Sequence, residues 1–129
     1  MEAVFLFCRD AQTGSDGKLD ILGVFNELYA KDFPARQERL VLVGFVAWER
    51  ELEGRIPFSV ELVDAEDMSI FSIEGHTDVD ARPPSRAPAR THFILPLKNV
   101  IFPAAGRYAV RINLNGREVA GPSMHLLRS

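Results

Sequence analysis

His76, Asp78 and Asp80 are the residues whose types and spacing come closest to a metal set. Alternate residues of an extended strand project to one face about 6 to 7 Å apart, so three ligand-type side chains would point the same way. Polar residues alternating toward water produce the same spacing with no metal, and His92 and His125 would have to converge on the trio to complete a centre. A solvated strand face is the expected reading, with a metal-dependent hydrolase at His76, Asp78 and Asp80 as a remote alternative. No cofactor is expected.

Other chemistries have weaker footing. No serine stands in a Gly-x-Ser-x-Gly elbow, and Ser123, which precedes His125, reads more simply as the start of a last strand. Gly14 and Gly17 lack the spacing and the following helix of a phosphate loop. Counted from Asp10, Ser15 and Ile21 occupy the positions where a calcium loop needs glycine and glutamate. The carboxylates of Glu49, Glu51 and Glu53, and of Asp64, Glu66 and Asp67, fall in charged turns open to water, whereas acid–base work needs a shielded carboxyl. Cys8, the single cysteine, lies in the apolar run from Ala3 and reads as a buried strand residue, not a nucleophile. An enzyme is therefore not expected.

The elements that would position any site are strands. Tyr108, Val110, Ile112 and Leu114 alternate with Ala109, Arg111 and Asn113, and Asn115-Gly116 follows, the pair best suited to a type I′ turn. A second hairpin is expected over Arg55 to Gly75, with Ile56, Phe58, Val60 and Leu62 on one face. Lys18 to Tyr29 changes parity at Gly23, which marks a bulge or bend, and Phe33-Pro34 leads into a polar connection. Thr91 to Leu97 reads as a strand, and Pro96 places it at an edge or at its end. Seven or eight short strands without a helix predict an all-β chain: an antiparallel β-sandwich of immunoglobulin-like or related topology. At 129 residues, 47% of them hydrophobic, the chain reads as one domain over 1–129.

Leu40 to Trp48 is the most apolar run, and both of its faces are apolar. Leu40, Leu42, Val46 and Trp48 can face a core, so Val41, Val43 and Phe45 need a cover, from a loop of the chain or from a second subunit. These three residues are the first contact candidates. Arg82, Arg86 and Arg90, in the proline-rich loop from Asp80 to Arg90, are the others.

Net charge is −3, which weighs against nucleic-acid binding. Residues 1–81 hold 17 acidic and 7 basic residues and residues 82–129 hold 1 and 8, a split suited either to complementary neighbouring strands or to a partner. The start of the chain is acidic and briefly apolar, unlike a signal peptide, and no run is long enough for a membrane helix, so a cytoplasmic protein is expected. The expected partners are a second copy of the chain or an unidentified protein, without nucleic acid or membrane.

Glu2-Ala3 with Phe7-Cys8, Gly17-Lys18 with Gly23-Val24-Phe25, Phe33-Pro34, Pro103, Gly106-Arg107-Tyr108 and Asn115-Gly116 together resemble an uncharacterised bacterial domain-of-unknown-function family. The resemblance spans most of the chain. It implies a small bacterial β-sandwich and brings no activity or catalytic residue with it. The functional expectation is a non-enzymatic interaction or structural module that self-associates, with a small-ligand or carbohydrate-binding module as the alternative. Sugar binding would call on exposed aromatics among Tyr29, Phe45, Trp48 and Phe71.

Overall fold

Asn115 and Gly116 stand at φ 53° and 81°, the left-handed pair that a type I′ turn requires, and Leu114 pairs with Arg117 across them. The hairpin so closed joins β8 (Gly106–Leu114) to β9 (Arg117–Arg128). In the computed structural model, which describes residues 1–129, seven further strands complete two sheets: β1 (Glu2–Thr13), β2 (Leu19–Val24), β3 (Glu27–Ala30), β4 (Ala35–Ala47), β5 (Gly54–Val63), β6 (Ser69–Val79) and β7 (Arg90–Phe102). Their order is β2-β1-β4-β7 in one sheet, here sheet A, and β3-β9-β8-β5-β6 in the other, sheet B. All pairs are antiparallel except β3 with β9. No helix is long and apolar enough to cross a membrane.

Nine strands replace the seven or eight expected, chiefly because Lys18 to Tyr29 is not one strand. Gly23 adopts φ 67°, and just beyond it the chain leaves β2 in sheet A for β3 in sheet B. β4 starts at Ala35, within the stretch expected to be a polar connection, because exposed Arg36, Glu38 and Arg39 mask it in a hydrophobicity pattern. β7 does not stop at Pro96. As the free edge of sheet A it tolerates a missing N–H, and Asn99 at φ 55° then shifts the buried parity from Phe93 and Leu97 to Val100 and Phe102.

The inner faces interdigitate as alternation requires. Phe5, Phe7, Leu40, Leu42 and Val46 of sheet A meet Ile56, Val60, Leu62, Val110, Ile112 and Leu114 of sheet B in one buried cluster. Trp48 closes its margin, its Nε1–H donating to Thr91 Oγ1 at 2.8 Å. No polar or charged residue is buried. The charge split is used in part between neighbouring elements: Arg111 pairs with Glu61 and Asp67, and Arg117 with Glu49.

The second apolar face of β4 has its own cover. β1 pairs with β4 from Glu2 opposite Ala47 to Cys8 opposite Val41; beyond Cys8 it keeps only β2. Between Cys8 and Ala11 the parity changes, so that Ala11 and its cross-strand partner Ile21, with Leu19, pack on Cys8, Val41 and Val43. The tip of the β1–β2 hairpin thus lies over the outer face of sheet A. Val41 and Val43 are sealed at 0% exposure, which corrects their expectation as contact residues. The cover comes from the same chain.

Candidate functional site

The hairpin covers only part of that face. The rows crossing β1, β4 and β7 read Leu6–Val43–Ile94, then Val4–Phe45–His92, then Glu2–Ala47–Arg90, with strands about 4.8 Å apart. The first row packs with the sealed cluster. The second is open: Val4 is 56% exposed and Phe45 37%. The Phe45 and His92 rings meet edge to face, with centroids 5.5 Å apart.

These two open rows line a shallow depression of about 260 Å³. Its floor is apolar, and Arg90 and Glu2 stand at opposite sides of its last row, two strand spacings apart. Neither Arg90 nor Glu2 enters an ion pair. The lining holds no serine, threonine, cysteine or lysine, so the chemistry on offer is apolar contact with a free guanidinium on one side, the Glu2 carboxylate on the other and the His92 imidazole between the apolar residues and the edge.

Of the contact candidates read from the sequence, the structure unites Phe45 with Arg90. Arg82 and Arg86 lie apart from the depression, on the loop before β7, which Arg50 holds by donating to the carbonyls of Pro84 and Arg86. Val4 is a member the sequence did not single out, and His92 was singled out only as a companion of the His76, Asp78 and Asp80 set. Their parity within β1 and β7 was available, but only the strand order places them beside Phe45.

His76 and Asp78 project from the outer face of β6, and Asp80 lies past its end. No three His, Cys, Asp or Glu side chains are grouped so as to hold a metal ion. His92 is in the other sheet, and His125 sits opposite Arg107 on β9, three strands from β6. Three of the turn carboxylates serve the backbone or ion pairs: Asp64 accepts from the N–H groups of Glu66 and Met68, Asp67 pairs with Arg111, and Glu49 is held below the usual carboxylate range mainly by a hydrogen bond from Arg117. Burial pushes the Cys8 thiol up, with the charge of Asp10 adding to the effect, which disfavours thiolate. The four aromatics form no common platform. Trp48 is buried, Phe71 half-buried, and exposed Tyr29 stands on β3 in the sheet opposite Phe45.

The model of a family of unknown function, DUF6941, matches residues 3–126. The chain belongs to this family. The resemblance drawn from strand and turn residues therefore led to a family without an assigned activity, as this one is. No curated protein matches this DUF6941 chain. Among solved structures, it is similar to Pseudomonas fluorescens alkylpurine DNA glycosylase AlkC bound to DNA containing an abasic site analog. The TM-score is 0.49 at 13% identity, over 81% of this chain and 28% of that one. The expectation of a second copy on the apolar face of β4 is corrected at Val41 and Val43, which are sealed within the DUF6941 chain, whereas Phe45 stays exposed.

Proposed function

We propose that this chain is a non-enzymatic interaction module on an immunoglobulin-like sandwich, and that it contacts a polypeptide segment presenting an apolar side chain beside a carboxylate. The observation that carries this reading is the open row Val4–Phe45–His92 next to unpaired Arg90. An apolar floor with the Arg90 guanidinium on one side and the Glu2 carboxylate two strand spacings away is complementary to an apolar group whose negative charge lies on the Arg90 side.

Two features support the immunoglobulin-like reading. β4 pairs with β7 in one sheet while β5, β8 and β9 run side by side in the other, and β3 lies parallel to the last strand. Tyr108, near the start of β8, also donates its hydroxyl hydrogen to the Ala104 carbonyl four residues upstream, as a tyrosine corner does.

Nuclear magnetic resonance titration tests the reading, with acetyl-Ala-Phe carrying a free carboxylate and with its C-terminal amide. The acid should give saturable shifts at Val4, Phe45, Arg90 and His92, with the amide at least fivefold weaker and Arg90→Glu removing the difference. Equal binding of acid and amide, or shifts elsewhere, would sink the proposal. Stronger binding of 3-phenylpropionate than of the peptide would replace the polypeptide with a small ligand.

A further inference from the structure

Sheets of this kind end in strands whose outer N–H and C=O groups have no partner, and proteins usually blunt such edges. Three of the four edges here are blunted. β2 has six residues and its penultimate one, Gly23, is left-handed; β3 has four; β7 carries Pro96 in its middle, then Lys98 and left-handed Asn99.

β6 is different. Over its 11 residues it contains no proline, lysine or arginine and no left-handed residue, and its register with β5 is unbroken from Val79 to Phe71. No backbone hydrogen bond outside the β-ladders involves residues 69–79. β7 of the other sheet approaches part of the strand, but no backbone hydrogen bond is made along its outer edge.

The side chains on β6 define what would fit. Glu74, His76 and Asp78 are exposed on the solvent face, and neither carboxylate enters an ion pair; Arg55 stands opposite Asp78 without reaching it. On the other face Phe71 and Ile73 are half-buried at the margin of the core, so a neighbouring strand would complete their burial.

We infer that β6 accepts an extended peptide as a sixth strand of sheet B. The peptide would carry lysine or arginine at alternate positions toward Glu74 and Asp78, and apolar residues between them toward Phe71 and Ile73. Main-chain hydrogen bonds supply the pairing and the two side-chain faces supply the selectivity. The site is separate from the depression on sheet A, so either can fail without the other.

The test uses acetyl-(Lys-Val)4-amide bearing fluorescein, its fully N-methylated counterpart and acetyl-(Glu-Val)4-amide, read by fluorescence polarisation and by amide hydrogen exchange on the whole chain. The Lys-Val peptide should bind saturably and slow exchange at least tenfold within residues 69–79 while leaving β7 unchanged. The N-methylated peptide has the same charge and side chains but no N–H donors between its residues, and should bind at least tenfold more weakly. Glu74→Lys with Asp78→Lys, both at exposed positions, should reverse the preference toward the Glu-Val peptide. Absence of saturable binding, equal binding of the N-methylated peptide, or protection on β7 instead of β6 overturns the inference.

Discussion

The hydroxyl of Tyr108 donates to the carbonyl of Ala104 at 2.6 Å, tying the start of β8 to the loop that precedes it. The ring itself packs edge to face on Phe102, with centroids 4.9 Å apart, so one side chain holds both the loop and the end of β7.

Tyr108→Phe keeps that ring contact and removes the hydrogen bond. A loss of about 1 kcal/mol is expected, or roughly 4 °C in Tm, measured by urea and thermal unfolding. Burial pushes the Tyr108 pKa up, partly offset by the bond to Ala104 and reinforced by Asp64. Because the folded value lies above the unfolded one, this group's contribution is complete below about pH 10 and declines as pH rises through the folded value. The variant should therefore show a shallower fall in stability above pH 10 than the parent chain. Identical alkaline slopes would remove Tyr108 from the pH dependence.

Gly44 lies opposite Phe5 on β1, and a Cβ there would overlap the Phe5 ring. Gly44→Ala forces the ring out of its place against Phe93, an overpacking cost of about 1–3 kcal/mol. Urea unfolding checks this. Pairing Gly44→Ala with Phe5→Leu should cost less than the sum of the two single changes, and strict additivity would show that the ring is not the obstacle.

Asn115 and Gly116 both sit at positive φ, and Gly116 N–H also donates to Asn113 Oδ1. Replacing the pair with Val-Val places two β-branched residues in left-handed conformations at about 1–2 kcal/mol each. A drop of about 2–4 kcal/mol in unfolding free energy is expected. Unchanged stability would mean that the turn can re-form with another geometry.

Legibility in the sequence followed the range of the physics. The Tyr108 to Leu114 alternation and the Asn-Gly turn are local signals, and both appear where expected. The start of β4 at Ala35 was hidden because Arg36 to Arg39 carry no apolar pattern; their pairing with β7 from Ile101 to Lys98 is what makes them strand. The cover over Val41 and Val43 depends on a parity change between Cys8 and Ala11 and on the direction of a hairpin, neither of which a local pattern encodes. For the candidate site, Phe45 and Arg90 stood out by residue type. Val4 did not, and His92 did so only as a possible metal ligand, since their membership here follows only from β1 and β7 flanking β4.

That cover can be tested directly by comparing two residues of one strand. Val43 and Phe45 have the same parity on β4 and differ only in where the β1–β2 hairpin ends. Val43→Asp puts an unpaired carboxylate under the hairpin and should cost more than about 4 kcal/mol, enough to unfold a domain of ordinary stability. Phe45→Ser sits at the open row and should cost only about 1 kcal/mol through its partial burial. Urea unfolding of the two variants reads the contrast. If Val43→Asp folds cooperatively with a loss similar to that of Phe45→Ser, the hairpin does not seal this face in solution, and the extent of the open surface beside Arg90 must be redrawn.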